Sequence, residues 1–160
     1  MTDPEWRLDR ALRILLVEDN RGDIRLLEET LKEWPVPTTL SVVRDGLDAL
    51  AYLRRTSDLP EAPHPDVIFL DLTLPRMDGR RVLAEVRSDP KLNVIPVVIY
   101  TGSRAEDDLK LAFNFRADGY LRKPLALAEF EALVRRLDLG VPAPVGALQR
   151  FIGPAAARPR

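Results

Sequence analysis

A chain of 160 residues, 46% of them apolar, is long enough to bury a full core within one domain of ordinary size. Its 24 lysines and arginines against 25 acids leave a formal net charge of -1, which gives no global electrostatic footing for nucleic acid or an anionic membrane. Cysteine is absent, which excludes disulfides and thiolate chemistry and suits a cytoplasmic protein; the start reads as lacking a signal peptide, and no run nears the roughly 20 apolar residues that span a bilayer.

In chain order, "RILLVED" (13–19) predicts a buried strand, and Ile24, Leu27, Leu31 and Trp34 follow at helical spacing, with Arg25, Glu28, Glu29, Lys32 and Glu33 on the other side. "TLSVV" (39–43) predicts a second strand and "GLDALAYLRR" (46–55) a second helix. "TSDLPEAPHPD" (56–66) carries three prolines in six positions and reads as a long loop. Val67, Ile68, Phe69 and Leu70 form a strand with no polar face, suited to the middle of a parallel sheet, and Asp71 stands at its exit. "GRRVLAEVRSDP" predicts a third helix stopped by Pro90, "IPVVIYTGS" (95–103) a fourth strand and "RAEDDLKLAFNFRA" a fourth helix. "GYLRKP" holds a short fifth strand, and "LALAEFEALVRRLDLG" a last helix capped by Gly140. Five βα units in alternation argue an α/β fold, a doubly wound parallel sheet between helices. Residues 1–11 read as a lead, 12–140 as the domain, and 141–160, with four prolines, three arginines and no acid, as an extension outside the core.

Four of the five strands end in a polar residue: Glu18 and Asp19 after the first, Asp71 after the third, Thr101 on the fourth, and Lys123, followed by Pro124, after the fifth. In a doubly wound sheet these ends share one edge, with a crevice between the first and third strands. Three carboxylates brought within about 4 to 6 Å repel by roughly 3 to 4 kcal/mol per pair at an effective dielectric of about 20. One lysine does not offset that; a divalent cation does, and an all-oxygen site with several waters is what Mg²⁺ accepts. The set then suits phosphoryl chemistry, with Asp71 as the nucleophile.

These segments resemble the receiver domains of bacterial response regulators: "VEDN" with Glu18 and Asp19, "FLDLTLPRMDG" with Asp71, Pro75 and Gly79, "YTGS" with Thr101, and "YLRKP" with Tyr120, Lys123 and Pro124. The resemblance spans roughly residues 12 to 138 and implies a flavodoxin-like sheet ordered 2-1-3-4-5 with five helices. It implies that Asp71 accepts a phosphoryl group from a histidine kinase, with Glu18, Asp19, Asp71 and the Thr73 backbone carbonyl around Mg²⁺. Lys123 would hold a phosphoryl oxygen, and Thr101 and Tyr120 would act as the switch. Such a protein is a phosphoacceptor that assists its own phosphorylation and dephosphorylation, not a conventional enzyme. The long loop before the third strand, the third helix and the extension resemble the small regulators paired with bacterial phytochromes. By the same resemblance, Thr73 and Ser103 stand where longer side chains orient a hydrolytic water, which implies a long-lived phosphorylated state.

Other readings of the same residues are a haloacid-dehalogenase-like phosphotransferase, a flavodoxin-like cofactor binder, and a receiver-like docking module that is not phosphorylated. The first would want a second Asp where this chain has Thr73, and the second would want glycines where "VEDNRGD" offers acids. A helix-turn-helix is not evident after Gly140, so signalling is expected through protein contact, not DNA. His64, the single histidine, reads as an exposed loop residue. The fourth predicted helix carries apolar residues on both sides, with Leu111 and Phe115 opposite Leu109, Ala112 and Phe113. A homodimer is expected through that face and Leu148, Phe151 and Ile152 of the extension.

Overall fold

The computed structural model describes residues 11–58, 64–102, 116–137 and 139. Five parallel strands form one sheet: β1 (Leu12–Val17), β2 (Thr38–Val43), β3 (Val67–Leu70), β4 (Val97–Thr101) and β5 (Gly119–Arg122). The spatial order is β2-β1-β3-β4-β5, so the chain reverses direction across the sheet between β1 and β3. Helices α1 (Arg21–Lys32), α2 (Gly46–Asp58), α3 (Gly79–Ser88) and α4 (Leu127–Leu137) alternate with the strands. This is the flavodoxin-like architecture expected.

Alternation along the strands divides the core in two. Leu12, Ile14, Leu16, Phe69, Val98 and Tyr100 pack with Leu27 and Leu31 of α1 and Phe130, Leu133 and Val134 of α4. Their neighbours Leu15, Val17, Ile68, Leu70, Val97 and Ile99 pack with Leu50 and Leu53 of α2 and Val82, Leu83 and Val86 of α3. Every residue of β3 is buried, because both faces of a central strand are covered. Burial of this kind contributes roughly 25 cal/mol per Å² of apolar surface removed from water.

Two helices differ in extent from the expectation, for physical reasons. Helix α1 starts at Arg21, three residues before the first apolar position, Ile24, because the Asn20 side chain accepts the Asp23 N–H and caps it. It ends at Lys32, and Trp34 follows in a tight turn whose N–H donates to the Leu31 carbonyl, with Pro35 barring continuation. Helix α2 runs on to Asp58 through residues expected in the loop; the Thr56 hydroxyl donates to the Leu53 carbonyl at 3.0 Å, so a polar residue is satisfied inside the helix. The fourth predicted helix falls almost wholly outside the described residues, as do Trp6, the Gly140 cap and the 141–160 extension. Among the described residues no helix is long and apolar enough to cross a membrane.

Candidate functional site

Register sets the strand ends in line. Val17 of β1 pairs with Leu70 of β3, Leu70 with Ile99 of β4, and Ile99 with Tyr120 of β5. The residues just beyond, Glu18 and Asp71, therefore stand side by side at the carboxyl edge. Thr101 pairs with Arg122, and the Lys123 N–H donates to the Thr101 carbonyl at 2.8 Å, which brings Lys123 to the same edge. The Asp71 N–H donates to the Val17 carbonyl and the Glu18 N–H to the Val43 carbonyl, so both acids leave from fixed backbone.

Asp71 is only 7% exposed. Its Oδ1 accepts the Thr73 N–H at 3.1 Å and its Oδ2 accepts from Lys123 Nζ at 3.3 Å. Glu18 is 1% exposed; Oε2 accepts the Asn20 N–H at 3.0 Å, and Oε1 lies 2.5 Å from Lys123 Nζ. Asp19 is exposed beside them, and carboxylate oxygens of Glu18, Asp19 and Asp71 lie within 4.8 Å of one another. Burial pushes the Glu18 carboxyl up; Lys123 and the Asn20 N–H pull it back, and the nearby Asp71 charge adds to the rise. Burial works against the Lys123 charge, but its bonds to Glu18 and Asp23 and the charge of Asp71 outweigh this and hold the ammonium above its ordinary range. Behind it, the Tyr100 ring centroid lies 5.6 Å from Lys123 Nζ, and burial raises the Tyr100 phenol to about 12.

The donor set fits a hard divalent cation. All three acids offer oxygen, their oxygens can reach a common point, and a single lysine ammonium stands among them. The chain approaches this point closely: a Cβ added at Gly79, the first residue of α3, would press on the Asp71 carbonyl and stand 2.7 Å from the Leu72 Cα.

Thr101 is buried at the end of β4, and Tyr120 packs against the α2 and α3 side of the core. By strand alternation, Ile99 and Thr101 share that side. Thr73 is exposed, and Ser103 lies outside the described residues, as do Leu111, Phe115, Leu148, Phe151 and Ile152. The Lys123–Pro124 peptide is cis. His64 is exposed.

Three residues escaped the sequence reading. Asp23, in the first turn of α1, lies 2.9 Å from Lys123 Nζ; its signal was an acid in the first turn of the helix that follows the first strand. Arg76, at φ 65°, pairs with Asp45 at 2.8 Å and Asp48 at 3.3 Å and ties the loop after β3 to the start of α2. Glu131 is 1% exposed and accepts the Trp34 indole N–H at 2.8 Å. It shares the helical stripe of Leu127, Phe130 and Val134, a legible sign of a carboxylate facing the core.

A sheet edge on which acids of the first and third strands are answered by a lysine of the fifth defines the receiver class of α/β proteins. The model of the response regulator receiver domain matches residues 14–135, and the chain belongs to that family. Among relatives, it is 41% identical over 125 residues to the response regulator Rcp1 of Synechocystis sp., covering 78% of this chain and 85% of that protein. The crystal structure of the phosphorylated cyanobacterial phytochrome response regulator RcpA is similar at 38% identity and a TM-score of 0.65, covering 90% of this chain and 96% of that one. The bacteriophytochrome response regulator RtBRR is similar at 36% identity and a TM-score of 0.68, covering 92% and 95%. The Mn²⁺-bound form of Rcp1 is similar at 40% identity and a TM-score of 0.65, covering 82% and 98%. The chain is thus a response regulator receiver resembling those associated with phytochromes.

Proposed function

We propose that this receiver accepts a phosphoryl group on Asp71 from a phosphohistidine of a sensor histidine kinase, with Mg²⁺ held by Glu18, Asp19, Asp71 and the Thr73 carbonyl. The observation that carries the reading is the meeting of three carboxylates within 4.8 Å beside Lys123, which stands 3.3 Å from Asp71. The bound cation supplies positive charge to the phosphoryl oxygens and offsets the acids. A carboxylate oxygen of Asp71 attacks phosphorus; the phosphorus–nitrogen bond to the kinase imidazole breaks, and the imidazole leaves with its electron pair and takes up a proton. The Thr73 N–H holds Asp71 in place. Lys123 neutralises charge on a phosphoryl oxygen, which is electrostatic stabilisation by a positioned donor.

Thr101 then turns its hydroxyl to the phosphoryl group, and Tyr120, on the same side of the sheet, follows. The protein acts as a phosphoacceptor in the cytoplasm, and its output passes by protein contact, not by DNA binding. Similarity to RcpA and RtBRR, which are named for phytochromes, supports a bacterial phytochrome as the kinase. We assign residues 12–140 to the receiver, 1–11 to a lead and 141–160 to an extension that, with Leu111 and Phe115, joins two copies in a homodimer.

The test is incubation with acetyl phosphate and Mg²⁺ followed by intact mass. The wild type gains one phosphoryl group and Asp71→Asn gains none. Retention of the gain in Asp71→Asn moves the acceptor to another residue.

A further inference from the structure

Lys123 has three N–H donors, and three carboxylates surround it: Glu18 at 2.5 Å, Asp23 at 2.9 Å and Asp71 at 3.3 Å. Three acids therefore already face the ammonium before any phosphoryl group arrives. A group added to Asp71 brings further oxygens that need donors, and Lys123 answers them by leaving one of its present partners. Asp71 itself carries the added oxygens, so Lys123 turning toward them moves away from Glu18 or from Asp23, and these two differ in what leaving them costs. The Glu18 side chain is 1% exposed, so an ionised Glu18 that lost Lys123 would have no water to replace it and only the cation to answer its charge. The Asp23 side chain is 32% exposed and sits in the first turn of α1, where water and the helix N-terminus both stabilise a free carboxylate.

From this we infer that Asp23 is a positioning residue that restrains Lys123 in the resting protein and is the partner given up when Asp71 is phosphorylated. The inference rests on Asp71 being the phosphoacceptor. It makes the Asp23–Lys123 pair a latch between the start of α1 and the end of β5, closed at rest and opened by the phosphoryl group. Asp23 touches neither the phosphoryl group nor Asp71; its whole effect passes through the ammonium.

Beryllofluoride, a mimic of the phosphoryl group, tests this without turnover when its affinity is read by fluorine NMR at saturating Mg²⁺. Asp23→Asn removes the competitor for Lys123, so beryllofluoride binds about three- to fivefold more tightly, the range of a partly exposed ion pair. Asp23→Glu keeps the carboxylate and returns the affinity toward that of the wild type. Glu29→Gln makes the same change of charge on the exposed side of α1 and leaves it unchanged. In a Lys123→Met background Asp23→Asn has no effect, because the group it acts through is gone. Unchanged or weaker binding by Asp23→Asn, or a gain that persists without Lys123, overturns the inference while Asp71 still binds the mimic. Failure of the wild type to bind, or equal binding by Asp71→Asn, overturns the assignment of Asp71 and the latch together.

Discussion

Gly79→Ala and Gly22→Ala are the same chemical change at the first and second residues of two helices, and the structure assigns them very different costs. At Gly79 the new methyl would press on the Asp71 carbonyl and lie 2.7 Å from the Leu72 Cα, where ordinary contact begins at 3.4 Å. Both neighbours are backbone, and the Gly79 N–H already donates to the Leu72 carbonyl at 3.1 Å, so neither side can yield by a rotamer change. Overpacking of this kind costs about 3 kcal/mol at the rigid end of its range. The helix preference of alanine over glycine returns at most about 1 kcal/mol, leaving a net loss of about 2 kcal/mol. At Gly22 the nearest atom is Asn20 Oδ1 at 3.3 Å, a side-chain tip that also accepts the Asp23 N–H and must give by a few tenths of an ångström, so the helix preference of alanine is offset in part and Gly22→Ala stays within about 1 kcal/mol of the wild type. Urea unfolding followed by circular dichroism measures both. Because the Gly79 methyl displaces the Asp71 backbone, Gly79→Ala also takes up phosphoryl groups from acetyl phosphate more slowly than Gly22→Ala. A Gly79→Ala protein as stable as the wild type would show that the approach of α3 to Asp71 is not a steric constraint.

Trp34→Phe removes the indole donor from the buried Glu131 side chain and destabilises the fold by about 1 to 3 kcal/mol, the range for taking a hydrogen-bond partner from a buried acceptor. In a Glu131→Leu background the same change costs below about 1 kcal/mol; equal costs by urea titration would mean that packing, not the hydrogen bond, holds Trp34. Arg76→Met loosens the loop after β3 in a pH-dependent way. The Arg76 guanidinium, and secondarily the Asp48 N–H, hold the Asp45 carboxyl below its usual 3.8, so this pair contributes stability above that value and loses it as pH falls through the lower folded-state value. The stability gap between wild type and Arg76→Met is therefore open at about pH 6 and narrows below about pH 4. A gap that stays constant on acidification would place the effect of Arg76 elsewhere.

Much of the fold lay in the order of apolar runs. A strand such as Val67–Leu70 with no polar face demands cover on both sides, and its regular exchange with helical periodicity leaves a parallel α/β sheet as the economical arrangement. An acid at the exit of such a strand leaves the apolar layers for the sheet edge, which placed Asp71 there, and Glu18, Asp19 and Lys123 were legible for the same reason. The sequence did not disclose how the groups at that edge share one another. Lys123 and Asp23 are 100 residues apart, and their contact depends on β5 and α1 meeting across a sheet whose middle strands come from elsewhere in the chain. Trp34 and Glu131, 97 residues apart, meet because α1 and α4 cover the same face; periodicity places each on an apolar stripe but cannot name the partner across it. Local pattern determines which face a residue takes, since backbone geometry repeats every two or 3.6 residues. Which atoms then stand within hydrogen-bond reach is decided by close packing between segments distant in sequence, and there Asp23 became the third acid on Lys123.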